Sequence, residues 1–262
     1  MIALCFDVGG SKYVAGLVDG EGNVLCAERR EWEALTPEGV VSSLVEAGTQ
    51  LMGAHPSLRP EVIGVTIPGL AKAEEGLWVE ASFSGIRNLP IGRLLREAFG
   101  LPVYGENDAK ACALAEKLFG AARDTDDFLY ITVSNGVGGA VFADGRLVYG
   151  SGAAGECGHV TVEEGGRPCK CGKRGCLEMH AAGPGMSQTY EELTGERVGG
   201  DQIAERARQG EAAAQRVFEL EGEYLGRMLG MAVNLLSPAL VVIGGGLSLA
   251  FDLYEASLWR SL

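Results

Sequence analysis

Apolar and polar positions along the chain predict short strands early, a helix-rich last third, and glycine turns between them. The runs Ile2-Ala3-Leu4-Cys5-Phe6 and Tyr13-Val14-Ala15-Gly16-Leu17-Val18 flank Asp7-Val8-Gly9-Gly10-Ser11-Lys12, the pattern of a β-hairpin with a glycine turn. Residues 23–31 read as a third strand. Thr36-Pro37 predicts a helix start, with Thr36 as cap and Pro37 in the first helical position. Val41, Leu44, Val45, Gly48, Leu51 and Met52 follow at helical spacing, and His55-Pro56 ends that helix with His55 at the surface. Residues 62–67 read as a buried strand stopping at Pro68-Gly69. Short strands are expected at 77–79 and 103–104, and a helix at 90–99. Glu106-Asn107-Asp108 is expected to open a further helix, with Ala111, Leu114, Ala115 and Leu118 buried and Gly120 as its end. Residues 211–236 predict one long helix, with Val217, Leu220, Tyr224, Leu225, Met228, Leu229, Ala232, Leu235 and Leu236 on its inner face. Residues 240–243 then form a strand, and Gly244-Gly245-Gly246 leads into a helix that Ser248 caps.

The opening hairpin has a faint echo. Residues 128–133 and 140–142 are strands around a second glycine-rich turn, Ser134-Asn135-Gly136-Val137-Gly138-Gly139. Residues 14–20 align with 139–145 at an offset of 125. The repeat suggests two similar halves, each offering a hairpin loop to one shared ligand, an arrangement that suits a nucleoside triphosphate in an interdomain cleft.

Length and composition narrow the class. At 262 residues, 47% of them hydrophobic, the chain suits a soluble α/β protein of one large or two small domains. A net charge of −13, with no block of Lys or Arg, argues against a nucleic-acid partner. No apolar run reaches the roughly 18 residues of a membrane span, and the start of the chain enters a strand directly, so neither a membrane partner nor a signal peptide is expected. Of seven Cys, Cys5, Cys26, Cys112 and Cys157 lie in apolar or helical patterns, as buried thiols of a reducing compartment do; the expected location is the cytoplasm.

Candidate chemistry sits at the turns. Gly9 and Gly10 let the backbone approach a phosphate and present N–H groups to it. Ser11 and Lys12 add a hydroxyl and a cation, and Asp7 is placed to hold Mg²⁺ directly or through water. A hairpin with a charged tip is the plain alternative. Asp108 follows a strand at a helix start, which fits either an ordinary cap or a carboxylate at the crevice end of an α/β sheet. His159, Cys169, Cys171 and Cys176 offer one imidazole and three thiols, a closed tetrahedral Zn²⁺ set. A metal gives this Gly- and Lys-rich stretch a reason to be ordered, and Lys170, Lys173 and Arg174 favour thiolate. Free surface thiols or a redox pair are the competing readings. Glu156 and Glu178 flank the cluster and are candidates for binding hydroxyls, while His180 reads as surface. Gly244, Gly245 and Gly246 permit close approach of a nucleotide or make only a tight strand-to-helix turn.

Taken together these motifs resemble the ROK family of sugar kinases and related repressors, on the α/β actin-like ATPase (ribonuclease H-like) fold of two domains around a cleft. The resemblance spans nearly the whole chain. Asp7–Lys12 and Ser134–Gly139 resemble its two phosphate loops. Glu106-Asn107-Asp108, Glu156-Cys157-Gly158-His159 and the Cys-x-Cys-Gly-x-x-Gly-Cys-x-Glu stretch ending at Glu178 match its motifs. The domains are then expected at residues 1–107 and 108–262. The resemblance implies ATP-dependent phosphorylation of a hexose with Asp108 as general base. Gly69, Asn107, Glu156, His159 and Glu178 would hold the sugar, His159 binding structural zinc through its other ring nitrogen. It implies Asp7, Gly9, Gly10, Ser11 and Lys12 on Mg²⁺ and phosphates, Asn135, Gly136 and Gly138 opposite, and Gly244, Gly245 and Gly246 near the adenosine. It also implies a homodimer or homotetramer. Three departures stand out. Asn135 replaces a usual Thr, Ser82 stands where glucokinases often carry Asn, and the chain stops soon after Gly246 where the family continues with further strand and helix.

Overall fold

Every second residue of the first strand points inward, and that alternation sets the first sheet. The computed structural model describes residues 1–81 and 84–262. Strand β1 (Ile2–Val8) buries Leu4, Phe6 and Val8. It pairs antiparallel with β2 (Lys12–Asp19), from Ile2↔Asp19 to Val8↔Tyr13. β3 (Val24–Glu31) continues the meander. Helix α1 (Pro37–Ala54) starts as expected: the Thr36 hydroxyl accepts from the Gly39 N–H at 3.1 Å. The chain returns through β4 (Val62–Ile67), then β5 (Leu70–Lys72), β6 (Leu77–Glu80) and β7 (Arg87–Leu89), helix α2 (Ile91–Phe99), β8 (Val103–Asn107) and α3 (Asp108–Phe119). β4 is parallel to both β1 and β8, giving a five-stranded sheet in the order β3-β2-β1-β4-β8; β5-β6-β7 form a small separate sheet. Leu44 and Leu51 of α1 and Leu95 of α2 close the core over Leu4, Phe6, Ile63 and Ile67.

The chain divides into two compact units, Met1–Phe119 with Ser151–Ala153, and Gly120–Gly150 with Ala154–Leu262. Helix α3 packs on β8 and β4, so the division follows Phe119 rather than residue 107. The strand β8 also runs longer than expected and takes in Glu106 and Asn107, leaving Asp108 as the first residue of α3. The inner face of α3 is Ala109, Lys110 and Ala113, rotated from the expected stripe, and Leu118 and Cys112 are exposed. Cys5 and Cys26 are half-buried.

In the second unit β9 (Phe128–Val133) and β10 (Val137–Ala143) form the second hairpin, with β11 (Arg146–Leu147) beyond it. Helices α4 (Glu178–Ala181), α5 (Gly183–Thr194), α6 (Gly200–Arg208) and α7 (Ala212–Leu236) precede β12 (Leu240–Gly244) and α8 (Phe251–Ser261). β12 lies parallel to β9, in the order β11-β10-β9-β12. The faint repeat therefore has a topological counterpart: each unit opens on a hairpin whose first strand gains a parallel neighbour from later in the chain.

Helix α7 packs on α8 through Gly222 and Gly226, where a Cβ would meet the Tyr254 and Leu258 carbonyls. Its buried face includes Glu221, which is 1% exposed, whereas Leu235, on the expected inner face, is 83% exposed. His180 also departs from expectation: it is 7% exposed, with its ring tilted against Tyr224 at a centroid distance of 4.6 Å. Ser248 lies within a 3₁₀ turn, Gly246–Ala250, and donates to the Gly245 carbonyl instead of capping α8. No helix among the described residues is long and apolar enough to cross a membrane.

Candidate active site

In the first unit the parallel strands β1, β4 and β8 end side by side, and polar groups collect where the backbone ladder runs out of partners. Asp7 is exposed near the end of β1. Its Oδ1 accepts from the Thr66 hydroxyl of β4 at 2.8 Å, and that hydroxyl accepts from the Val8 N–H at 2.9 Å. The turn beyond is tight: the Gly9 N–H donates to the Lys12 carbonyl at 3.0 Å, and a Cβ on Gly9 would sit 2.9 Å from the same oxygen. Trp32 Nε1 donates to the Gly9 carbonyl at 2.9 Å, while Gly10, Ser11 and Lys12 are exposed. Glycine is thus needed at residue 9 for the turn itself, and the next three residues present their polar groups to solvent.

Asn107 organises the other end of this edge. Its Nδ2 donates to the Gly69 carbonyl and to Asp108 Oδ1, each at 3.0 Å, and its Oδ1 accepts from the Lys110 N–H at 3.1 Å. Asn107 is therefore the cap of α3, and only 9% exposed. Asp108 Oδ1 also accepts from the Ala109 N–H at 2.8 Å. Two N–H groups on one oxygen fix the plane of the carboxylate. Gly69 has φ +75°, and a Cβ there would lie 2.5 Å from the Glu80 carbonyl, so its carbonyl can reach Asn107 only from a glycine. Lys110, 4% exposed, donates from Nζ to the Gly152 carbonyl at 3.2 Å within the same unit.

In the second unit the two remaining glycine turns emerge together, because β12 runs beside β9 with Gly244 opposite Thr132. A Cβ on Gly245, at φ +86°, would lie 2.7 Å from the Val133 nitrogen. Gly138 also pairs with Thr132, from the other side, and Asn135 is exposed at the tip. Glu178 joins this turn to the cysteine loop. Its Oε2 accepts from the Val137 N–H at 3.1 Å, and a Cβ on Gly136 would come within 2.9 Å of that oxygen. Glu156 is half-buried and precedes a 3₁₀ turn, Cys157–His159. The Cys157 thiol is pushed up to about 12 by burial, as expected of a packing residue.

The donor atoms of His159, Cys169, Cys171 and Cys176 all lie within 4.8 Å of one another. His159 Nδ1 is 3.6 Å from Cys169 Sγ, and the Cys171 and Cys176 sulfurs are 3.6 Å apart. A tetrahedron with Zn–S bonds of about 2.3 Å has S···S edges of about 3.8 Å, so the group fits a four-coordinate zinc. Facing Nδ1 into the cluster leaves Nε2 as the outward nitrogen of His159. A Pro168–Arg174 hairpin carries Cys169 and Cys171, with the Cys169 N–H on the Lys173 carbonyl at 2.8 Å, and Cys176 follows it, bridged to Thr161. Without a cation, burial and the neighbouring sulfurs push the Cys176 thiol up to about 12, whereas the Lys173 N–H draws Cys171 down. A bound cation reverses the first effect, because metal-bound thiols are deprotonated.

Three supporting residues escaped sequence reasoning. Thr66 and Lys110 are polar residues inside apolar patterns, which was their only signal. Arg167 left none: it bridges the Met179 and Gly185 carbonyls, Thr189 and Glu192, at 2.8 to 3.1 Å, and so anchors the cysteine hairpin to α4 and α5. Ser82 lies outside the described residues.

Comparison with known proteins bears on this arrangement. The ROK family model matches residues 3–262. A glucokinase of Halalkalibacterium halodurans is 31% identical over 269 residues, covering 94% of this chain and 80% of that protein. The DNA-binding transcriptional repressor Mlc of Escherichia coli is 33% identical over 202 residues, covering 73% of this chain and 50% of the repressor. Among solved structures, a ROK family glucokinase from Streptomyces griseus, in complex with glucose and AMPPNP, superposes with a TM-score of 0.87 at 29% identity, covering 100% of this chain and 88% of that one. The relatives are thus both sugar kinases and repressors, and the α/β fold is that of the actin-like ATPases. By its family match from residue 3 to residue 262, the chain belongs to the ROK family.

Proposed function

We propose that the protein transfers the γ-phosphoryl group of ATP to a hydroxyl of a hexose, the 6-hydroxyl of glucose or of a related sugar. The observation that carries this reading is the carboxylate of Asp108, held in one plane at the end of β8 by the Ala109 N–H and Asn107 Nδ2, on the same sheet edge as Asp7. The glucose and AMPPNP bound by the Streptomyces griseus glucokinase support the choice of substrates.

In this reading Asp108 accepts the hydroxyl proton as the sugar oxygen attacks the γ-phosphorus and the bond to ADP breaks. Phosphoryl transfer demands chiefly positioning and charge neutralisation. Asp7 would hold Mg²⁺ through its carboxylate, and the ion would offset charge on the phosphates. Mg²⁺ keeps several waters and takes one or two carboxylates, and an exposed Asp7 suits that demand. Gly9, Gly10, Ser11 and Lys12 bind phosphate oxygens, as do Asn135, Gly136 and Gly138. An amide at 135 can donate to a phosphate oxygen as the more usual hydroxyl does. Gly244, Gly245 and Gly246 receive the adenosine. Gly69, Asn107, Glu156, His159 and Glu178 orient the sugar. Cys169, Cys171, Cys176 and His159 Nδ1 would hold structural zinc, which keeps His159 and Glu178 in place.

The test is ADP release from Mg-ATP over a panel of hexoses and N-acetylhexosamines, with the sugar phosphate identified in the product. Turnover that requires one of these sugars is expected and names the substrate. Tight sugar binding without turnover would overturn the kinase reading in favour of a non-catalytic sugar-binding or regulatory member of the family, an alternative that the similarity to the repressor Mlc supports.

A further inference from the structure

Asp7 is exposed, and an exposed aspartate has several rotamers of similar energy. Something must select one if its carboxylate is to meet a metal in a fixed direction. Thr66 is the group in contact. It lies in β4, hydrogen-bonded on one side to β1 and on the other to β8, where it stands opposite Glu106. A β-branched residue in a central strand has a stiff χ1. The pairing of β1 with β4 runs from Ala3↔Val62 to Phe6↔Val65. Two residues further, the Val8 N–H is taken up by the Thr66 side chain at 2.9 Å.

The direction of the hydroxyl proton follows. A backbone N–H can only donate and a carboxylate can only accept. With Val8 N–H donating to it, the Thr66 hydroxyl must send its own proton to Asp7 Oδ1, at 2.8 Å. Oδ1 is thereby committed to the protein, and Oδ2 is the oxygen left to turn toward a cation. We propose that Thr66 is a positioning residue that selects the metal-facing oxygen of Asp7. This rests on the reading of Asp7 as the Mg²⁺ carboxylate. It is the arrangement by which an outer hydrogen bond tunes a metal ligand, and loss of such a partner costs about 10- to 100-fold in metal affinity.

The test measures Mn²⁺ binding to the intact protein in the presence of AMPPNP, by electron paramagnetic resonance, and hexose binding without nucleotide, by calorimetry. Thr66→Val keeps the branched shape and removes the hydroxyl; Thr66→Ser restores it. The expected result is a Mn²⁺ affinity at least about tenfold weaker in Thr66→Val. Thr66→Ser should lie within about threefold of the parent, and hexose affinity should be unchanged in both. Should Thr66→Val fail to fold, Thr66→Ala is measured in its place with the same expectation. Asp7→Asn separates the two claims. If Asp7→Asn weakens Mn²⁺ binding and Thr66→Val does not, the role of Thr66 is overturned and that of Asp7 stands. If Asp7→Asn leaves Mn²⁺ binding unchanged, the underlying reading of Asp7 fails, and this inference with it. Equal losses of hexose and Mn²⁺ affinity in Thr66→Val would make Thr66 merely structural and overturn the proposal.

Discussion

Replacing Asp108 by Asn isolates the chemistry of one oxygen. In the native protein Oδ1 accepts from the Ala109 N–H at 2.8 Å and from Asn107 Nδ2 at 3.0 Å. An asparagine can keep both bonds by placing its carbonyl oxygen where Oδ1 stands. Its amide nitrogen then occupies the position of Oδ2, where it cannot accept a proton. The cap of α3 by Asn107 and the contact with Gly69 use other atoms and are retained. On the proposed role of Asp108, what is lost is general-base catalysis, which contributes about 10²- to 10⁴-fold. At about 1.4 kcal/mol per decade, this corresponds to about 3 to 5.5 kcal/mol of transition-state stabilisation. The assay is sugar-dependent ADP release, with kcat and KM measured separately beside hexose binding and thermal unfolding. The expected outcome is a kcat lower by at least about 100-fold, with hexose affinity within severalfold and unfolding unchanged. A fall of less than about tenfold would refute the assignment and place the base elsewhere. A large fall accompanied by an equal loss of hexose affinity would show that Asp108 binds rather than abstracts.

Two further outcomes follow from the second unit. Glu221 is 1% exposed with neither carboxylate oxygen partnered among the described residues, and burial drives its carboxyl well above the usual carboxylate range. A carboxyl raised on folding favours the native state below the unfolded value near 4.3, and that stability is lost at about 1.4 kcal/mol per pH unit as pH rises toward the folded value. Glu221→Gln should therefore flatten the decline of unfolding free energy between pH 5 and pH 8 measured by urea denaturation; parallel curves for the two proteins would contradict a buried neutral carboxyl. On the proposed zinc site, Cys171→Ser removes one of four ligands and should release zinc, detected by elemental analysis, with a weaker hexose affinity because His159 and Glu178 lose their anchor; unchanged zinc content would sink the ligand assignment.

What the chain determined locally is legible in it. The hairpins around Gly9-Gly10 and Gly136 follow from alternating apolar runs and glycine, and the start of α1 at Thr36-Pro37 follows from cap chemistry. The spacing of Cys169, Cys171 and Cys176 already limits what they can do, because ligands a few residues apart in a glycine-rich loop can reach one ion. These are short-range consequences of side-chain type. Other features depend on which strands become neighbours. Thr66 reaches Asp7 only because β4 inserts between β1 and β8, and the turn at Gly244–Gly246 emerges beside Val133 only because β12 pairs with β9. The inner face of α3 and the burial of His180 differ from expectation for the same reason, and nothing in the helical pattern marked Glu221 as buried. Periodicity tells which residues share a face, but the surface that face meets is chosen by tertiary packing. There a lysine can be satisfied by a distant carbonyl such as Gly152, and a leucine such as Leu235 can be left in solvent.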